Sequence, residues 1–152
     1  VRRELEINIA AHDAVISSPI GVKRAPNGVA EPHPSWEGAV SALQLTVQHP
    51  DFDTVHITVR GSLDLVRAYD FDDSMRRIER TAPGRLLIDL RELDFLDTTG
   101  LARLLAVRRR CRRAGRRLVL VRGSRGVQQL FAATSLEEQF ELVGDPAELV
   151  AV

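Results

Sequence analysis

GRLLIDLRELDFLDTTGLARLLAVRRRC, residues Gly84 to Cys111, joins an apolar run to a leucine-rich segment through Asp97, Thr98, Thr99 and Gly100. Leu86 to Leu90 is nearly all apolar, which predicts a strand covered on both faces or lying mid-sheet. Leu101, Leu104, Leu105, Cys111 and Ala114 then mark one face of a helix closed by Gly115, and Leu118 to Val121 is a second apolar run. Strand, helix and strand in this order predict a crossover whose two strands are parallel. At the junction, an acid or threonine accepts hydrogen bonds from the free N–H groups of the first helical turn. That need is met by Asp97 and one threonine. The remaining hydroxyl lies at a helix N-terminus, at the carboxyl end of a parallel strand, where α/β folds commonly place their sites.

Upstream, Leu43, Leu45 and Val47 alternate with Gln44, Thr46 and Gln48, and Val55, Ile57 and Val59 alternate with His56, Thr58 and Arg60. Separated by HPDFDT, the two stretches predict an antiparallel hairpin with one wet face. Ala68, Phe71, Met75 and Ile78 recur at helical spacing, with acids early, arginines late, and Pro83 and Gly84 as the stop. Downstream, Val127, Leu130 and Phe131 predict another helix, QFELV a short strand, and DPAEL a last helix capped by Asp145. The expected architecture is α/β, a mixed sheet of about five strands with about four helices packed against it. Residues 1–38 contain SSPIGVKRAPNGVAEPHPSWEG, a linker composition, and are expected to stand apart as an extension. Leu5, Ile7 and Ile9 alternate as a strand would, without a visible partner. Residues 39–152 form the expected domain.

The chain has 152 residues, of which 44% are hydrophobic, enough for one domain with a core. Its 21 basic and 21 acidic residues cancel, and all the basic residues but Lys23 are arginine. The run RRRCRRAGRR, Arg108 to Arg117, lies on the solvent side of the expected helix without the aromatic residues that stack on bases, so no nucleic-acid partner is expected. His12, His33, His49 and His56 are irregularly spaced and read as solvated side chains, and no metal site is expected. Cys111 has no evident histidine partner and reads as a buried structural thiol. VRGSRG lacks the lysine and threonine of a phosphate loop. No base, cofactor signature or membrane-spanning run is present, so the expectation is a non-enzymatic protein of the cytoplasm.

With these residues in view, Gly84 to Leu142 resembles the STAS domain, named for sulphate transporters and anti-sigma factor antagonists. The most specific element is Phe95, Leu96, Asp97, Thr98, Thr99, Gly100 and Leu101. A second is Gly61, Ser62, Leu63 and Asp64, where the family usually has Gly-Glu-Leu-Asp. The resemblance spans about 100 residues and implies the STAS fold. It also implies an anti-sigma factor antagonist, which binds an anti-sigma factor that is also a kinase and so releases a sigma factor. The matching phosphoacceptor is Thr98. The unphosphorylated antagonist binds its partner and the phosphorylated one lets go. Carried over residue by residue, the implied partner-binding set is Gly61, Ser62, Asp64, Asp97, Thr98, Thr99, Gly100 and Leu101. Ser62 in place of glutamate removes one charge from the docking face. Threonine in place of the commoner serine is familiar in stress-complex scaffolds. The alternatives are therefore a scaffold subunit of a stress-signalling assembly and a STAS subunit of a lipid transporter.

Overall fold

A computed structural model describes the backbone of residues 4–8 and the whole of residues 42–149. The strands are β1 (Glu4–Asn8), β2 (Gln44–Asp51), β3 (Thr54–Leu63), β4 (Arg85–Asp89), β5 (Leu93–Leu96), β6 (Arg117–Val121) and β7 (Glu141–Val143). Three helices connect them: α1 (Ala68–Glu79), α2 (Thr98–Arg113) and α3 (Arg125–Ala133). The sheet order is β1-β2-β3-β4-β6-β7, with β5 paired to β3 off this path. β2 pairs antiparallel with β3, as the hairpin pattern predicts, β1 pairs antiparallel with β2, and β3, β4, β6 and β7 are mutually parallel.

One face of the sheet carries the main core. Leu45, Ile57, Ile88 and Leu120 meet Phe71 and Met75 of α1, Leu104 and Val107 of α2, and Phe131 of α3. Apart from Val107, this is the set that the alternating strands and helical spacings pick out; Ala114, expected on the same face of α2, is exposed. On the opposite face the pattern is polar along β2 and β3, then apolar at Leu87, Val119 and Val121, where Val143 and Leu149 also pack. β4 and β6 therefore bury side chains on both faces, the physical reason for their continuous apolar sequence.

Three features depart from the expectation. First, the run from Arg85 to Leu96 is two strands, not one: Leu93 N–H closes a turn onto the Leu90 carbonyl at 3.1 Å, and Asp89 holds Arg91 through its backbone and guanidinium. β5 then pairs in parallel with the end of β3, with a register slip between Gly61 and Ser62. Second, Glu4–Asn8 pairs antiparallel with β2, so this part of the expected extension belongs to the sheet. Its partner was hidden because it lies some 40 residues away along the chain. Residues 9–41, with the rest of the expected linker and the boundary at residue 38, lie outside the described residues. Third, DPAEL forms a 3-10 turn, Pro146–Leu149, in place of a fourth α-helix, although Asp145 does accept the Ala147 N–H at 2.7 Å.

Candidate functional site

β3 and β5 end side by side, Leu63 opposite Leu96, so the two motifs GSLD and FLDTTG emerge at one end of the sheet. Asp97 ties them together. Its Oδ1 accepts the Gly100 N–H at 2.8 Å, capping α2, and its Oδ2 accepts the Leu65 N–H at 3.1 Å, holding the loop after β3. The Asp97 N–H in turn donates to the Leu63 carbonyl at 3.3 Å. Asp64 is committed in a similar way, to the Arg67 N–H at 3.1 Å and the Arg67 guanidinium at 2.8 Å. Both acids of the implied set therefore brace the loop and are not free charges awaiting a partner.

The glycines serve close approach. A Cβ on Gly100 would stand 2.4 Å from the Leu63 carbonyl oxygen and 2.8 Å from a Leu96 methyl. Gly61 has φ +94°, and a Cβ there would stand 1.9 Å from the Ala42 carbonyl oxygen. Four members of the implied partner-binding set, Gly61, Ser62, Gly100 and Leu101, are buried. They shape the surface from below. Ser62 is wholly enclosed and its hydroxyl has no hydrogen-bond partner among the described residues, so the side chain standing in the family's glutamate position does not reach the surface.

What remains outward is informative. Thr98 is exposed and Thr99 half-buried. Asp97 caps the helix, so neither threonine is needed there, and both hydroxyls are surplus to the turn. Around them lies an apolar surface that local sequence reasoning missed: Leu65 is 63% exposed, Val66 71%, Tyr69 70% and Phe95 47%. Leu65 is fixed by Asp97, Phe95 is on β5, and the Arg103 guanidinium of α2 lies 5.7 Å from the Tyr69 ring centroid, linking the starts of the two helices. The signal in the sequence was Phe95 and Tyr69 at positions whose neighbours point into the core.

Two other sequence readings change. His56 is not solvated: its Nε2 lies 3.2 Å from Asp89 Oδ2, with the side chain only 16% exposed. Burial by itself would raise the Asp89 pKa, but hydrogen bonds from His56 and Arg91 outweigh it and hold the carboxyl well below the usual range. The arginine run is also not uniformly solvated. Arg110 reaches between helices to Glu79 at 2.7 Å and Asp72 at 2.9 Å, Arg116 donates to the Pro83 and Glu79 carbonyls, and Arg117 pairs with Glu141. Cys111 is buried, and desolvation pushes its thiol pKa up.

The STAS domain family model matches residues 44–148. This chain belongs to the STAS domain family. Over 95 residues it is 34% identical to the anti-sigma-F factor antagonist RsfA of Mycobacterium tuberculosis, covering 61% of this chain and 73% of RsfA. The fold is shared with an anti-sigma factor antagonist from Mycobacterium paratuberculosis at TM-score 0.65 and 22% identity, covering 73% of this chain and 94% of that one. It is also shared with the antagonist SpoIIAA in its unphosphorylated form, at TM-score 0.60 and 19% identity, over 70% of this chain and 92% of SpoIIAA. The STAS domain here has its motif threonines, Thr98 and Thr99, at the start of α2. Among the described residues no group of His, Cys, Asp or Glu is arranged to hold a metal, and no helix is long and apolar enough to cross a membrane.

Proposed function

We propose that this STAS domain is an anti-sigma factor antagonist: it binds an anti-sigma factor with kinase activity in the cytoplasm, releases a sigma factor, and is itself released when Thr98 is phosphorylated. The observation that carries this reading is an exposed, unneeded hydroxyl at the first position of α2, beside the apolar surface of Leu65, Val66, Tyr69 and Phe95. Exposed apolar residues gathered in one place mark a protein interaction surface. A phosphate brings about −1.5 to −2 charges at neutral pH. At a helix N-terminus that charge is tolerated by the fold, since the first-turn N–H groups and the helix dipole favour it. Against a docked apolar surface it has to be desolvated and drives the complex apart.

The name of RsfA and its 34% identity support the antagonist reading. Nothing in the arrangement asks the domain to perform chemistry of its own. The test is incubation with the paired anti-sigma factor and ATP, followed by mass spectrometry. One phosphate on Thr98, absent in Thr98→Ala and retained in Thr99→Ala, is expected. Phosphate on Thr99, or none with a correctly paired kinase, would replace the switch with a constitutive binding module.

A further inference from the structure

The arginines between Arg108 and Arg117 differ in what they meet. Three of them are matched: Arg110 by Asp72 and Glu79, Arg116 by backbone carbonyls, and Arg117 by Glu141. Arg108 and Arg112 are not. Like those of Arg109 and Arg113, their side chains make no ion pair or hydrogen bond among the described residues, and, four residues apart on α2, they lie on the same side of the helix, where like charges repel. Both line a cavity of about 170 Å³ between the end of α2, β6 and the start of β7, which Arg116 and Gln139 also line. Its apolar lining is Cys111, Leu118 and Phe140, with Cys111 and Phe140 buried. The one acid on the lining, Glu141, is already engaged by Arg117.

We infer that this cavity binds a small free oxyanion of the phosphate class. Two guanidinium-bearing side chains without a partner among the described residues, Arg108 and Arg112, border a space with an apolar floor, and Arg116, held by the Pro83 and Glu79 carbonyls, adds a third positive charge to its lining. Guanidinium forks match the oxygens of phosphate, often two at a time. The volume suits a phosphate-sized ion and falls short of the roughly 300 Å³ at which pockets for larger organic ligands begin. Arg112 stands with Arg110 and Arg113 in the last turn, where any of the three complements the helix dipole, while Arg108 lies before that turn and is not needed for it. The site lies at the far end of α2 from Thr98, roughly 20 Å away at the helical rise per residue. It does not depend on the docking surface being correctly assigned.

The test is a titration of the isotope-labelled full chain with inorganic phosphate at constant ionic strength, followed by amide shifts, with chloride as the reference ion. Saturable shifts at Arg112, Leu118, Gln139 and Phe140 are expected. The double variant Arg108→Gln/Arg112→Gln should weaken binding by about tenfold or more, as expected for lost hydrogen bonds to a charged group. Arg109→Gln/Arg113→Gln, which removes the same charge from outside the cavity, should leave binding unchanged. Shifts that never saturate, or an equal loss in both double variants, would reduce the effect to general charge screening and overturn the proposal. So would tighter binding of a phosphoserine peptide than of inorganic phosphate, which would make the cavity a docking point for a modified protein.

Discussion

Asp97 and Leu65 are joined across 32 residues of sequence by a 3.1 Å hydrogen bond, from the Leu65 N–H to Asp97 Oδ2, while the other oxygen of the same carboxylate caps α2. The two stretches of the motif are thus one mechanical unit, and the backbone that presents the exposed Leu65 side chain is held by an acid whose oxygens both accept from backbone N–H groups. Disturbing Asp97 should affect the helix and the docking surface together.

Asp97→Ala should lower fold stability by about 1 to 2 kcal/mol through loss of the cap. It should also weaken partner binding beyond what the lost stability explains, because the Leu65 loop is released. Asp97→Asn keeps an acceptor for one of the two N–H groups and should fall between. Chemical denaturation and a binding titration on the same samples separate the two effects. Equal partner affinity in all three proteins would mean the loop position does not matter for docking.

Gly100→Ala introduces a methyl 2.4 Å from the Leu63 carbonyl oxygen and 2.8 Å from Leu96. A shift of α2 away from β3 and β5 is required, with an expected cost of about 1 to 3 kcal/mol. A lower urea midpoint with unchanged slope is the outcome to look for. An unaltered midpoint would show that the helix start accommodates the methyl freely.

The pH dependence centres on Asp89. Its pKa is depressed in the folded protein, so its contribution is fully present above the ordinary carboxylate value of 3.8 and is lost as pH falls below that value toward the folded-state pKa. Asp89→Asn should cost about 2 kcal/mol at neutral pH, as the charged bonds to His56 and Arg91 weaken. The gap between wild type and variant should stay flat from neutrality to about pH 4 and narrow in more acid solution. Paired urea melts across pH measure that gap directly. A gap that widens on acidification contradicts the assigned ion pair.

Cys111 is 1% exposed and its thiol pKa is raised by desolvation, so the reactive thiolate is scarce and sheltered. A maleimide reagent should label it slowly in the native protein and promptly in denaturant. Fast native labelling would show that the α2 contact with the sheet opens readily.

Several of these features were legible in the linear chain. The alternation of Leu45 and Val47 with Thr46 and Gln48 specifies a strand with one buried face, since successive side chains point to opposite sides. Phe71, Met75 and Ile78 specify the buried stripe of α1 for the corresponding helical reason. Asp97 before a leucine-rich helix specifies its cap, because the first-turn N–H groups need an acceptor within local reach. These are short-range facts of backbone geometry, and the family motif reinforces them.

Tertiary structure alone decided the rest, because each remaining feature depends on groups distant in sequence. Pairing of β1 with β2 depends on which edge of the sheet is open. Local alternation does not reveal that Ser62 would be enclosed while Phe95, opposite it in register, would face solvent. Which arginines of a uniform run are consumed and which stay unpaired depends on Asp72, Glu79 and Glu141 arriving from other elements. The hydrophobic pattern selects helices, strands and their buried faces through local periodicity, but charge pairing and the outward surface are settled only when separate elements meet.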